Sequence, residues 1–310
     1  MEDGSRKAVA AAFAANLGIA LSKLLAFFFT GAASLLAEAI HSLADTGNQG
    51  LLVIGSARAA HPADERHPFG HGSRRYFYAF LVAVVLFTAG GVFAIYEGID
   101  KLRNPHEPEG LGWAIAVLLV AVVLESFSLR TAMREGRAMK PDGRSWWWFI
   151  RHTKSAEIPV VVLEDCAALV GLGFALTGVI LAAVTNEPRW DALGSLAIGV
   201  LLVVVAVVLG SEMASLLVGE SASEEDEAAI RAAMLSHPAV VRIIHLRTQH
   251  IGPDELLVAA KLEFLHDLDF ERLADVVDEV EVQVRKAVRA ATLIFIEPDV
   301  YRAGLDPSPD

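Results

Sequence analysis

Apolar residues in this chain gather in blocks of about twenty, the length a helix needs to cross a hydrocarbon layer of roughly 30 Å. The blocks cover 8–29, 33–57, 76–99, 111–133, 157–184 and 191–217, and they predict six membrane-spanning helices. The shortest link, Thr30-Gly31-Ala32-Ala33, leaves room only for a tight turn, so neighbouring helices run antiparallel. Past residue 220 the pattern changes. Ser223 followed by Glu224-Glu225-Asp226-Glu227 marks a helix start, with negative charge at the positive end of the helix dipole. Val240–Gln249 and Glu255–Glu263 read as strands about the turn Ile251-Gly252-Pro253-Asp254. Asp269–Ala290 has helical spacing, and Thr292–Ile296 is a last β-rich run. The order αββαβ predicts helices packed on a small sheet. The expected division is a transmembrane domain over 1–217, a C-terminal domain over 218–301 and a disordered tail over 302–310.

Composition agrees with that pattern. Apolar residues make up 54% of 310 positions and mean hydropathy is +0.45, more than one soluble core requires. The formal net charge of −12 argues against a nucleic-acid partner. A single cysteine, Cys166, excludes an intrachain disulfide and a thiolate metal cage. Its place in an apolar block reads as a small buried residue. The first apolar block is long enough to stay in the membrane, with no small-residue cleavage site behind a short run.

Basic residues give the orientation. Arg58, Arg66, Arg74 and Arg75 lie between the second and third blocks, and Arg130, Arg134, Arg137, Lys140, Arg144, Arg151 and Lys154 between the fourth and fifth. The opposite links hold Lys101, Arg103 and Arg189. Both termini and the two basic loops are therefore expected in the cytoplasm. Trp146-Trp147-Trp148-Phe149 reads as an interfacial anchor in the second of those loops.

Ionisable side chains inside apolar blocks carry the candidate chemistry, because each is expensive at bilayer depth. His41 and Asp45 are four residues apart on the second helix and share a face with Glu38. Glu164 and Asp165 are adjacent in the fifth block. An imidazole with carboxylates from two helices suits a zinc-class cation. The competing reading is an interhelical hydrogen-bond network that only holds the bundle together. A second cluster, Asp64, His67 and His71, occupies the first basic loop, with spacings of three and four. Taken by itself it suits a metal site and a solvated polar turn equally.

Four stretches resemble the cation diffusion facilitator family. They are Ser34-Leu35-Leu36-Ala37-Glu38-Ala39-Ile40-His41-Ser42-Leu43-Ala44-Asp45, then His67-Pro68-Phe69-Gly70-His71-Gly72, then Asp191-Ala192-Leu193-Gly194-Ser195-Leu196-Ala197-Ile198-Gly199, and Leu246-Arg247-Thr248 with Gly252-Pro253. The resemblance covers nearly the whole chain, in order. It implies a six-helix bundle with a cytoplasmic ferredoxin-like αββαβ domain, assembled as a homodimer. It also implies export of a divalent cation by proton antiport, in an integral membrane protein, here read as one of a bacterial cytoplasmic membrane. Zinc is the expected ion, with manganese, iron or cobalt as alternatives. The implied transport ligands are His41, Asp45 and Asp165, and the implied loop ligands are Asp64, His67 and His71.

Two departures matter. Many members carry a His four residues before the fifth-helix Asp, where this chain has Val161. Glu164 is extra, and its pairing with Asp165 resembles the zinc transporter 9-like branch. Glu164 points about 100° from Asp165 in an ideal helix. It either coordinates after a local distortion or carries protons while water fills the fourth position. The strand positions that hold histidines in metal-binding members are Ile244, Ala260 and Phe295, leaving Glu297 alone able to coordinate. A metal site on the C-terminal strands is thus not expected. A membrane metalloenzyme would need a helical His-Glu-x-x-His or a nucleophile–base pair, and neither is in the sequence. The chain is therefore read as a transporter and not an enzyme. A non-transporting regulatory protein on the same fold is the remaining alternative.

Overall fold

A computed structural model describes residues 3–105, 111–140, 142–154 and 157–303. Residues 304–310, which hold most of the expected tail, lie outside the described residues, as does the side chain of Asp45. The chain forms two compact units. The first comprises Met1–Ser56 and Phe77–Met213, and the second Ala57–Tyr76 and Ala214–Asp310.

The first unit is helical. It contains α1 (Asp3–Thr30), α2 (Ala33–Ala59), α3 (Arg74–Leu81), a π-helical stretch Val82–Phe87, α4 (Thr88–Arg103), α5 (Leu111–Met139), the short α6 (Trp146–His152), α7 (Glu157–Thr185) and α8 (Arg189–Val218). Among the described residues, four helical runs are long and apolar enough to cross a membrane: Arg74–Arg103, Gly112–Arg137, Ile158–Thr185 and Arg189–Val218. Leu17–Thr30 of α1 is a shorter apolar stretch. Glu38, His41, Asp45 and Asn48 interrupt the hydropathy of α2. Helices suit such sequences because lipid offers backbone groups no other partner.

The α1–α2 turn closes on Gly31, whose φ of +66° is a left-handed conformation that an L side chain would strain. Thr30 Oγ1 donates to the Ala26 carbonyl at 2.8 Å and accepts from the Ala32 amide at 3.3 Å.

Glycines set the helix crossings. A β-carbon on Gly91 would lie 3.0 Å from the Gly199 carbonyl oxygen, and one on Gly98 3.0 Å from that of Ala192. Gly178 likewise approaches the Trp190 carbonyl, and Gly194 that of Phe174. Such close backbone approach is how helices associate in a solvent as apolar as their own side chains. The paired positions rise along one helix as they fall along the other, so α8 is antiparallel to both α4 and α7. On α4 and α2, Gly90 meets Ile40, and Gly55 of α2 meets Tyr78 of α3 in the same continuous run, which makes α2 antiparallel to that run. It follows that α7 is antiparallel to α2.

One reading is corrected here. Cys166 is exposed, because one residue beyond Asp165 a helix has turned its side chain away from the polar partners. The tryptophan tract is helical. Ser145 caps α6 by accepting from the Trp148 amide, and Trp148 stacks on His152 with ring centroids 4.4 Å apart.

The second unit holds α9 (Glu224–Leu235), β1 (Val240–Gly252), β2 (Glu255–Phe264), α10 (Phe270–Ala287) and β3 (Ala291–Pro298). Ser223 caps α9 and Asp269 caps α10, each accepting the amide three residues on. The sheet order is β1-β2-β3, with β1 antiparallel and β3 parallel to β2. A parallel neighbour requires a crossover, and α10 supplies it. Val276, Val280 and Val284 recur every four residues on its buried face, packed with Ile230, Met234, Leu256, Val258 and Leu262. This is the αββαβ arrangement that the residue pattern predicts.

Candidate functional site

Within the helical unit, ionisable residues from four helices converge. Lys23 of α1 donates to Glu38 Oε2 at 3.0 Å and to Ser42 Oγ at 2.7 Å, and neither charged side chain has any exposure. His41 is buried between them along α2 and feels the Lys23 charge. On α5, Glu125 is buried and feels both Lys23 and Glu38. On α7, Asp165 accepts from Ser128 of α5 at 3.0 Å and feels Glu125. Lys23, Glu38, Glu125 and Asp165 therefore form one electrostatically continuous cluster.

The helix register places the remaining residues. A β-carbon on Gly171 of α7 would come 2.6 Å from Glu38 Oε1, so these two positions face each other. Seven residues are nearly two full turns. In the antiparallel pair, advancing by seven on α2 brings position 45 level with about position 164 on α7. Glu164 and Asp165 are both buried. Asp165 turns to α5, whereas Glu164 lies on the same stripe of α7 as Gly171, the stripe facing α2. Val161 packs beside Ala132, Ile150 and Val162. Among the described residues, His41, Glu164 and Asp165 do not close into a group of donors within 4.8 Å.

Three participants escape a hydropathy reading. Lys23 and Glu125 are single charges in apolar runs, and the signal that finds them is the expense of any charge at that depth. Asn48 is fully buried, and both amide atoms lack a hydrogen-bond partner. It stands seven residues after His41, on the same face of α2. At the end of the bundle, the Ser34 amide donates to Asp191 Oδ1 at 3.2 Å and the Ser34 hydroxyl donates to the same oxygen.

In the second unit, Asp64, His67 and His71 each offer a ligand atom, all within 4.8 Å of one another. Asp64 Oδ1 accepts the amides of Arg66 and His67, each at 2.8 Å, which closes the turn. His67 Nδ1 lies 3.2 Å from Asp64 Oδ1 and His71 Nε2 3.2 Å from Oδ2. A tetrahedral zinc with ligands at about 2.1 Å needs donor atoms roughly 3.4 Å apart. The donor set and its spacing fit such an ion. The His67 amide, followed by the Arg66 amide and the two imidazoles, pulls the Asp64 carboxyl from 3.8 down to about 2.

His71 is 5% exposed, and its Nδ1 has no hydrogen-bond partner. Gly70 and Gly72 bracket it, and Gly72 packs so closely that a β-carbon there would overlap Glu255 Oε2 and lie 2.9 Å from the Ile251 carbonyl. Arg75 pairs with Asp254 at 2.9 Å. The loop is thus seated on the β1–β2 turn. Burial pushes the Glu255 carboxyl up, Asp254 adds to that and Arg75 opposes it.

Residues 9–218 match the pattern described as Cation efflux transmembrane domain, and residues 222–299 that described as Cation efflux protein, cytoplasmic domain. The chain is an integral membrane protein and belongs to the cation efflux, or cation diffusion facilitator, family. Within it, the chain is zinc transporter 9-like. It is 32% identical over 288 residues to the mouse protein named proton-coupled zinc antiporter SLC30A9, mitochondrial, a match covering 90% of this chain and 51% of that protein. It is 25% identical over 261 residues to metal tolerance protein C4 of Arabidopsis thaliana, covering 84% of this chain and 57% of that one. It is 27% identical over 300 residues to cation-efflux pump FieF of Klebsiella pneumoniae, covering 94% and 91% respectively. The chain spans about half the length of the SLC30A9 proteins it matches.

Proposed function

We propose that this protein exports a divalent metal cation from the cytoplasm in exchange for protons, with zinc as the principal ion. The observation that carries the reading is the set of buried ionisable side chains on α1, α2, α5 and α7, within a helical unit of largely apolar sequence. His41 and Asp45 on α2 and Asp165 on α7 are the assigned transport ligands, and Glu164 is a ligand or a proton carrier beside them. A dication binds deprotonated carboxylates and a neutral imidazole, so its entry expels protons, and protons returning from the far side expel it. That exchange is the basis for antiport. An imidazole favours zinc over magnesium, while the carboxylates leave manganese, iron and cobalt as secondary cargo. The names borne by the SLC30A9 and FieF relatives support both the ion and the direction.

Asp64, His67 and His71 form the second, cytoplasmic site in this reading. It captures ions or orders the loop and does not carry them across. The assembly is a homodimer with six spans per chain and both termini in the cytoplasm. The membrane in this reading is a bacterial cytoplasmic one, whereas the SLC30A9 relatives are named mitochondrial. The test is zinc uptake into inverted proteoliposomes by wild type and Asp165→Ala. Wild type accumulates zinc and the folded variant does not. Equal uptake by both contradicts the site, and uptake by neither contradicts transport.

A further inference from the structure

We propose that a cleft between α5 and α7 holds an acidic phospholipid, its phosphate gripped by Arg130, Arg134 and Arg137. The cleft has a volume of about 690 Å³, and beside the three arginines it is lined mainly by Leu129, Met133 and Leu169.

The arginines share one stripe. Positions 130, 134 and 137 follow spacings of four and three, which stacks them along one face of α5. All three are exposed, and no carboxylate among the described residues pairs with them. Basic residues that follow them are matched. Arg151 pairs with Glu212 at 2.9 Å, and Lys140 donates to the Arg144 carbonyl at 2.6 Å. Three guanidinium groups along one stripe repel one another, so the stripe calls for an anion. Phosphate suits it, because a guanidinium offers paired N–H groups to two phosphate oxygens at once.

The short helix α6 fixes the depth of the stripe. Gly136 adjoins Arg137, and a β-carbon on Gly136 would come 2.9 Å from the Trp146 ring. The tryptophan helix therefore meets α5 at the level of the arginines. Trp147 on that helix is 53% exposed. Open tryptophans gather at the headgroup level of a bilayer, which places Arg134 and Arg137 at the depth of lipid phosphates. Arg130 lies a turn deeper than Arg134 and reaches the same level through its long stem.

The far end of the cleft is apolar. Ser128 meets Asp165 and Gly136 meets Ile158, so α5 and α7 run antiparallel. Leu169 is then level with about position 125 of α5, roughly 18 Å below Arg137. A free phosphate would use only the basic end. A cleft that passes from arginines at headgroup depth to leucines beneath them matches a molecule with an anionic head and an apolar tail. Basic pockets between membrane helices bind acidic headgroups in this way. A lipid seated there touches both α5 and α7 and ties the two helices together.

The experiment is native mass spectrometry of the purified full-length protein in neutral detergent, with phosphatidylglycerol or phosphatidylcholine added. Thermal unfolding is followed on the same samples. Wild type is expected to retain phosphatidylglycerol adducts at a lipid ratio where phosphatidylcholine leaves none, and to unfold at a higher temperature with the acidic lipid. Each of Arg130→Gln, Arg134→Gln and Arg137→Gln should weaken retention on the order of five-fold, and the triple variant should abolish it. Lys140→Gln/Arg144→Gln/Lys154→Gln removes the same charge from residues outside the cleft lining, and should retain the lipid. Equal retention of the two lipids by wild type, or equal losses in the two triple variants, overturns the proposal. Stabilisation by inorganic phosphate that matches the lipid's also overturns it, since that describes an anion site with no lipid in it. If the arginine triple variant fails to fold, the three single variants and the wild-type comparison of the two lipids decide the matter.

Discussion

Lys23 Nζ lies 3.0 Å from Glu38 Oε2 inside the helical unit, with both side chains wholly buried. An ammonium at that depth persists only with its charge matched. Removing one partner of a buried pair strands the other, at a cost of about 3–5 kcal/mol, whereas replacing both with apolar residues is close to neutral. Lys23→Met is therefore expected to lower the unfolding midpoint markedly, and Lys23→Met with Glu38→Leu to recover most of it. Thermal unfolding in detergent checks this. A single mutant as stable as wild type would mean that Glu38 does not rely on Lys23 for its charge balance.

Ser128 holds one oxygen of Asp165 from α5 at 3.0 Å. Ser128→Ala leaves the carboxylate in place with one fewer constraint on its orientation. Zinc affinity should fall by roughly ten-fold or more, since one hydrogen bond to a charged group is worth about 1.5–3 kcal/mol. The fold should be unchanged. Calorimetric affinity equal to wild type would show that Asp165 is oriented by other contacts.

Gly72 is required for a packing reason. A β-carbon there meets the Glu255 carboxylate, the Ile251 carbonyl at 2.9 Å and Gly252 Cα at 3.0 Å. Glu255 can swing aside, but the backbone atoms cannot. Gly72→Ala should displace the loop from the hairpin, at roughly 1–3 kcal/mol for overpacking. Zinc binding by Asp64, His67 and His71 weakens, while transport through the helical unit is largely retained. Unchanged loop-site stoichiometry and affinity in Gly72→Ala would contradict that seating.

Much of this architecture is legible in the residue pattern. The apolar blocks, the cap at Ser223, the Gly252-Pro253 turn and the valine stripe of α10 each follow from a local rule. Other features depend on what a segment packs against. Hydropathy averaged over twenty residues conceals Lys23, and Glu125 is hidden by the same averaging. The π-helical stretch Val82–Phe87 lies within an unbroken apolar run, so no residue in it signals a change of helical pitch. The seating of 57–76 on the hairpin comes from Gly72, Glu255, Arg75 and Asp254, nearly two hundred positions apart in sequence. Asn48 stands on a face the spacing reveals, but its unsatisfied amide is visible only once the neighbouring helices are in place.

Asp64 organises the loop through its charge. Its carboxyl is pulled from 3.8 to about 2, first by the His67 amide. A depressed carboxylate contributes order that is fully present above its ordinary value and is lost as pH falls through the lowered one. Loop order should therefore be the same at pH 7 and pH 5, and should fail only toward pH 2. Hydrogen exchange at the Arg66 and His67 amides reads this directly. In Asp64→Ala, protection should be low at both pH 7 and pH 5. Protection in wild type that is lost between pH 7 and pH 5 would contradict the role given to Asp64.

The central claim is that the buried cluster exchanges a divalent cation for protons. It is tested most directly by following zinc and pH together inside one population of inverted proteoliposomes, with a zinc-sensitive and a pH-sensitive dye in the lumen. With the lumen acidified beforehand, zinc entry should coincide with a rise in luminal pH. Collapsing the gradient with an ionophore should slow zinc entry, and Asp165→Ala should abolish both signals. Zinc entry that continues at the same rate without the gradient, with no accompanying pH change, would contradict the account.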